Sequence, residues 1–575
     1  MILRSLPLVL LVACATSKPA TVSPAPSPQP PAPAATPMLV PDAGVVEASL
    51  PSPDDALEAL WARQLNFKNG TPTVTVRLME GQDKATFSAR APMHLHAHGG
   101  LNKEVNAPAN VPFTVRLASA DAAEQGFAVQ VGEFAVDDRD ALAAAKQLWT
   151  SRGYEAHALT EGAVYGIAGH VLDNRHTLLL LGPHGPKAQA RAMQDEIGQK
   201  FGEATLLHTT LLKRPSGVLE VSDANGNVLA QAQDLVVVDD DQIGFDVKQV
   251  EYGVGYSWHG FADRSYRGQL LFTVDPQGKL AVVNAVPLEE LLRGLVPSEI
   301  PAKAHAEALK AQAVTARGEV LAKIGVRHLE DPYLFCSEQH CQVYSGIGGE
   351  TAATDAAIKA TAGEALFLPN GGKLVDTVYS AICGGYTENN ENVWAGPQNP
   401  ALRGVPDVIG DDKSVPATLT DSSLPGFLNS KAAFACKLAS ASTASKFRWT
   451  KRFTASEVDA MLATLKVGHV LGMKVTQRGV SGRAIALTVS GDAGASEIRG
   501  ELNIRKAFKN LPSGMFVLAS EGGKSGPSAW TFSGGGWGHG VGMCQIGAIG
   551  RAEHGQTYRD ILAHYFQGSE LVKVY

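Results

Sequence analysis

Apolar and polar positions alternate along this chain with periods that change from stretch to stretch. Phe127 to Phe134 alternates residue by residue, which predicts a strand buried on one face. Asp140 to Ser151 follows, with Leu142, Ala145 and Leu148 at helical spacing, so an amphipathic helix is expected there. Gly153 to Ala156 turns the chain into a further strand. Thr177 to Leu181 is an apolar strand, and Lys187 to Phe201 has the period of a second helix. Beyond about residue 215 strands dominate: Val218 to Val221, Val228 to Leu235, Gly268 to Val274 and Leu280 to Val286. The clearest helix is Ala304 to Ile324, where Leu309, Ala313, Ala316, Val320 and Ile324 form a stripe. A shorter helix is expected over Ser456 to Leu465, and no solenoid-type repeat occurs.

The N-terminus has a different character. Arg4 precedes an apolar stretch, Leu6 to Val12, that is too short to span a bilayer. It ends in Leu11-Val12-Ala13-Cys14, which looks like a bacterial lipobox, where the signal is removed and the Cys thiol is diacylated. Cys14 is then a lipid anchor, and Ala15 in place of Asp favours the outer membrane by analogy with Gram-negative sorting. The competing reading is an ordinary cleaved signal with a chance Cys. Residues 15–54 are rich in Pro and Ala, as in Pro24-Ala25-Pro26-Ser27-Pro28. They read as an extended tether with no core of their own. The 575 residues leave room for two or more domains. A net charge of −7 is mild and gives no argument for nucleic-acid binding.

Candidate chemistry gathers in four places. Gly534 to Gly542 holds six glycines in nine residues, interleaved with Trp537 and His539. Such a loop suits a polar ring such as a sugar, and a buried hairpin is the alternative. Glu299 lies between Pro297 and Pro301, which fix the backbone before the long helix; a desolvated carboxyl there suits a general acid, and the other reading is a carboxylate that merely favours the positive N-terminal end of that helix. Glu289 and Glu290 are rival acids. His94, His96 and His98 alternate along a strand and face one way, either as metal ligands or as a solvated edge. Of six cysteines, five remain once Cys14 is set aside, which suggests two bridges and one thiol, or a metal site. Cys336 and Cys341, with His340 between them and His328 upstream, suit tetrahedral zinc. A Cys336–Cys341 disulfide in an oxidising compartment is the rival. Cys383 and Cys436 suit a second bridge. No His-Glu-x-x-His pattern occurs, so a zinc hydrolase of that kind is a poor reading.

Several of these segments together resemble the SpoIID family, the stage II sporulation lytic transglycosylase and its LytB-type amidase-enhancer relatives. The resemblance rests on Val286 to Pro301, Glu307 to Arg317, Cys341 to Gly346, Cys383 to Thr387 and Val393-Trp394. It closes on the Gly-Trp-Gly-His-Gly-Val-Gly-Met loop, Tyr558 to Leu562 and His564 to Gly568, covering roughly residues 215–575. It implies a strand-rich, mixed α+β catalytic domain over residues 216–575, with the short helix Asn503 to Phe508 before the last strands. Residues 55–215 loosely resemble a SPOR-type peptidoglycan-binding α+β module.

The family activity is non-hydrolytic cleavage of the bond between N-acetylmuramic acid and N-acetylglucosamine in glycan strands, with one Glu as acid and base. The resemblance gives that role to Glu299. It places Tyr379, Ser380, Gly384, Gly385, Trp537, His539, Gly540 and Gln545 along the glycan groove, with Gln545 toward an N-acetyl group, and Arg317 either there on a substrate carboxyl or paired with a structural acid. No cofactor is required. Some clostridial members carry a Cys/His zinc site in the region of Cys336, His340 and Cys341. The alternative function is a non-enzymatic enhancer of a cell-wall amidase. The chain departs from the sporulation-type pattern at Cys383 and Cys544, where Ser is common. These two pair with each other if their loops meet.

Overall fold

The structure, a computed structural model, describes residues 53–575 except 64, 101–102, 204, 242, 256–257, 370–371, 395, 411 and 524–525. The signal 1–14, Cys14 and the tether up to residue 52 lie outside the described residues. Among the described residues, no helix is long and apolar enough to cross a membrane.

Two antiparallel sheets pack face to face. The larger runs Asn66–Lys68, Thr71–Gln82, Leu280–Pro287, Gln269–Val274, Leu235–Asp239, Met93–Ala97 and Glu104–Ala107, with Phe335–Cys336 added in parallel on Thr71–Gln82. The second runs Val228–Gln233, Ser216–Ser222, Pro112–Asp121, Lys84–Ala89, Phe245–Tyr252 and Gly260–Tyr266. Alternate side chains of both meet in one core, where Phe87 of the second sheet lies 5.0 Å from Phe272 of the first. The single strand expected over Val228 to Leu235 is broken at Asp234, whose φ of +67° turns the chain from one sheet into the other.

Strands from 66–121 and from 216–287 share both sheets, so the expected boundary at 215 does not divide the structure. The separable unit is an insertion between them. Its strands lie in the order Leu206–Lys213, Glu124–Ala135, His176–Gly185, Ala156–Glu161, with helices Arg139–Ser151 and Lys187–Phe201. This is a β-α-β-β-α-β split arrangement, with its own core of Val129, Trp149, Leu179, Leu181 and Ile197. The first helix is rotated slightly from the expected stripe. Leu148 is exposed, and the neighbouring Trp149 fills the core instead, because the larger ring removes more apolar surface from water.

The strand Leu280–Pro287 runs without a loop into the helix Leu288–Glu299. The next helix, Ala306–Lys323, was expected to have one apolar stripe. It is buried almost all round, including Gln312, Thr315, Arg317 and Glu319. A helix buried on every side belongs to a core, and its polar residues therefore need partners inside the protein. Past residue 447, two three-stranded sheets enclose a separate core of Trp449, Leu487, Phe508 and Phe532.

Candidate functional site

Glu299 is the last residue of the helix Leu288–Glu299, not a loop residue as the flanking prolines suggested. Pro297 sits inside the final turn, and the Ser298 hydroxyl donates to the Gly294 carbonyl at 2.9 Å. The half-buried Glu299 carboxylate accepts the Val343 N–H at 2.8 Å, and Gln545 donates its amide to the Glu299 carbonyl at 2.8 Å. Burial raises the Glu299 pKa above the usual carboxylate range, against the opposing pull of Val343 and Gln545. The helix C-terminus, with its partial negative charge, acts in the same direction. A carboxyl whose pKa is raised by burial has the property that general-acid chemistry requires.

Around Glu299 the second wall is built from paired loops. Tyr379–Ser380 lies parallel to Met543–Cys544, and Ile382 bridges Trp537. The Tyr379 hydroxyl donates to Gln342 Oε1 at 2.6 Å, and Gln342 in turn donates to the Ala316 carbonyl. His539 has its tautomer set by two bonds. Nε2 faces the Tyr379 carbonyl at 2.9 Å, and Nδ1 accepts the Val541 N–H at 3.1 Å. It is therefore neutral, and burial with the charges of Arg505 and Arg483 pushes its pKa down to about 3. Its ring lies 4.8 Å from that of Trp394. Trp394 and Trp537 are 40% and 43% exposed, large apolar faces left open beside polar groups.

Several residues expected on the groove are placed otherwise. Arg317 is fully buried and donates from Nε and Nη2 to Glu289 at 2.7 and 2.8 Å, and from Nη1 to the Glu364 carbonyl at 3.1 Å. It braces the core and reaches no groove. Glu289 accepts from Tyr575 as well, which removes it as a rival acid, and Glu290 pairs with Arg293. Gln545 is buried and spends its amide on Glu299 and Gln312 rather than on a ligand. Gly384, Gly385 and Gly540 all have positive φ and turn inward. A side chain on Gly385 would strike the Phe434 ring, and one on Gly540 the Arg483 guanidinium. Ser380 is buried, and its hydroxyl finds no partner among the described residues.

Residues not foreseen also belong here. Gln312, Gln342 and Val343 hold the acid and its neighbours. Trp394 was read only as part of a motif. Glu319 is 8% exposed, and burial, then the Asp376 charge, raise its pKa to about 8. It lay hidden in a helical repeat that looked uniformly structural.

The cysteines follow a mixed outcome. Cys336 and Cys341 are bridged, as the disulfide reading expected, and Gln342 and Val343 follow directly after the bridge. His328 and His340 lie with them, the four ligand atoms all within 4.8 Å of one another. Cys383, Cys436 and Cys544 are three buried free thiols, so neither the Cys383–Cys436 nor the Cys383–Cys544 bridge is formed. The three histidines of Met93–Ala97 and its continuation do not converge. His94 bonds Asn106, His96 bonds Glu104, and His98 turns to the Gln233 carbonyl. His94 and His96 instead line a cavity of about 360 Å³ beneath the helix Pro53–Trp61, and Glu299 is not part of its lining.

Comparison with known proteins adds the following. Residues 276–368 match the family described as Stage II sporulation protein, and residues 388–542 match a domain of unknown function, DUF8618. An uncharacterized protein of Brachyspira hyodysenteriae is 26% identical over 397 residues, 67% of this chain and 94% of that one. The amidase enhancer of Bacillus subtilis is 29% identical over 298 residues, 49% of this chain and 40% of that protein. Stage II sporulation protein D of Bacillus subtilis is 28% identical over 306 residues, 50% of this chain and 75% of that one. The chain thus spans well under two thirds of the amidase enhancer's length.

Proposed function

The chain belongs to the SpoIID/LytB family, and from that membership and the setting of Glu299 we propose that it is a lytic transglycosylase of peptidoglycan. The observation that carries the proposal is a carboxyl with raised pKa at a helix C-terminus, held against Val343 and against Gln545, which follows the loop of Trp537 and His539. Protonated Glu299 gives its proton to the oxygen bridging N-acetylmuramic acid and N-acetylglucosamine. The bond from that oxygen to the muramoyl C1 breaks, and the N-acetylglucosamine hydroxyl leaves. The muramoyl C6 oxygen then closes on C1, and the Glu299 carboxylate takes the proton from that oxygen. The acid is restored, no water enters, and a 1,6-anhydro end results. An ordinary glycosidase needs a second carboxyl to activate water; an internal hydroxyl removes that need. Glu319, neutral below about pH 8, adds no second charge near Glu299.

The substrate is glycan strands stripped of stem peptides, with Trp394 and Trp537 as stacking faces for sugar rings. The inserted split β-α-β-β-α-β module is the region compared above to a SPOR-type binder, and it supplies a second hold on the strands. The protein works in the cell envelope, lipid-anchored through Cys14 on the periplasmic side of the outer membrane. Zinc at Cys336, Cys341, His340 and His328 fits the donor set only with the bridge open. There it would fix the loop that carries Val343.

A second reading has its own support in the amidase enhancer among the relatives: the chain binds strands and stimulates an N-acetylmuramoyl-L-alanine amidase. One assay separates the two. The full chain and its Glu299→Gln variant are incubated with amidase-treated sacculi, and the products are analysed by mass spectrometry. Anhydro-muramoyl ends from the wild type and none from the variant support the enzyme. No product from either, with an added amidase accelerated equally by both, overturns it in favour of the enhancer.

A further inference from the structure

The geometry points to a second, closed metal site of the zinc class, formed by Cys383, Cys436, Cys544 and Asp407 behind the groove wall. The four ligands arrive from four separate segments: the turn after Tyr379–Ser380, the loop at Asp407, the short helix Ala435–Leu438, and the residue capping the helix Gln545–Glu553. All four are fully buried, and their ligand atoms lie within 4.8 Å of one another. Cys383 Sγ is 3.8 Å from Cys436 Sγ. A tetrahedron with metal–sulfur bonds of about 2.3 Å has sulfur–sulfur edges of about 3.8 Å. Asp407 Oδ2 is 3.2 Å from Cys383 Sγ, close to the mixed sulfur–oxygen edge of the same figure.

The surroundings are those of a ligand shell. Asp407 divides its two oxygens. Oδ1 takes Arg551 Nε at 3.0 Å and the Tyr565 hydroxyl at 2.8 Å, and Oδ2 is left to face the thiols. Outer donors that fix one oxygen and free the other are the usual support of a metal-bound carboxylate. Backbone N–H groups point at the sulfurs. Cys383 and Gly547 donate to Cys544 Sγ at 3.1 and 3.2 Å, and Gly385 donates to Cys383 Sγ at 3.4 Å. Gly547 is required at its position, because a Cβ there would collide with Asp407 Oδ2 and the Tyr565 hydroxyl. Three thiolates and a carboxylate around a divalent ion leave two negative charges. Arg551, buried and bonded to Asp407, and Arg448, half-buried and bonded to the Gly384 carbonyl, are two cations placed to offset them. Four ligands with no open position make a structural site, not a catalytic one. It would pin the Tyr379–Ser380 and Met543–Cys544 walls to the 407 and 436 segments. The inference rests on these side chains and is independent of the role of Glu299.

The test uses the full-length chain with Cys14→Ser, so that only the folded part contributes thiols, purified without added metal and desalted. Elemental analysis should find zinc retained at one equivalent per chain. That equivalent should persist in Cys336→Ser/Cys341→Ser, where the first cluster is removed, and be lost in Asp407→Asn and in Cys436→Ser. Since the last two variants risk unfolding, a second measurement uses the Cys14→Ser chain with no further change. Titration with an organomercurial should release the metal in step with three thiols. The inference is overturned by three free thiols with no metal, by a single free thiol (two of the three being bridged), or by metal that tracks Cys336 and Cys341 alone.

Discussion

The helix Leu288–Glu299 carries a carboxylate at each end, and the two are treated in opposite ways. Glu289, in the first turn, meets the buried guanidinium of Arg317 through two hydrogen bonds and accepts from Tyr575 as well. Glu299, in the last turn, meets a neutral N–H and the negative end of its own helix. The first is paired with a guanidinium and ties Tyr575 to the core. The second is pushed toward its protonated form. Identical side chains ten positions apart therefore divide into a structural ion pair and a candidate acid, and what separates them is the presence or absence of a buried cation.

The strongest way to break this contrast is to neutralise each carboxyl in turn. Glu299→Gln should lower kcat on stripped glycan strands by about 10²–10⁴-fold, the usual share of a general acid. Its thermal midpoint should not fall, because a desolvated carboxyl is replaced by a neutral isostere. A variant of normal activity would remove the distinction between the two ends. Arg317→Met should do the reverse, costing about 3 kcal/mol by leaving Glu289 without its cation. Residual activity should then follow the folded fraction, measured by chemical denaturation against product formation.

A finer test uses Glu319. Its pKa of about 8 stands above the ordinary 4.5, so the folded state keeps a proton that the unfolded state loses. The stability tied to that proton is fully present below about pH 4.5 and is lost as pH rises through 8. Glu319→Gln should therefore gain stability over the wild type as pH climbs between those values. The gain should reach about 4 kcal/mol at the upper end and vanish at the lower, read from denaturation midpoints across the range. A gap that does not change with pH would mean that Glu319 ionises normally. The smallest effect is expected at the aromatic wall. Trp394→Ala and Trp537→Ala should each raise KM roughly fivefold, about 1 kcal/mol of lost stacking, with little change in kcat.

Much of the architecture was legible because periodicity reports burial. The strand near Leu280 to Val286, both helices of the inserted module and the long helix all lie where the apolar spacing put them. What periodicity cannot report is which strands become neighbours. The pairing of Thr71–Gln82 with Leu280–Pro287 joins residues some two hundred positions apart, and so a boundary at 215 looked natural and was misplaced. Pro297 misled in a second way. A proline normally marks a helix boundary, yet it was accommodated within the last turn, where Ser298 bonds back to Gly294. Within the site, the setting between prolines together with the family resemblance singled out Glu299 as the candidate acid. The tasks of Arg317 and Gln545 were not, because a long polar side chain can face a groove or a core from the same helical position, and only packing decides. Cys383, Cys436 and Cys544 were legible as a set in need of partners. Asp407 was not, because no spacing links it to them.

The most direct test of the central claim is to run the full chain on stripped glycan strands in heavy-oxygen water and weigh the new muramoyl ends. Closure by the internal hydroxyl, with Glu299 as sole acid and base, predicts anhydro ends that carry no heavy oxygen and that disappear in Glu299→Gln. Reducing ends labelled from the solvent, or unlabelled anhydro ends still formed at the normal rate by Glu299→Gln, would contradict it.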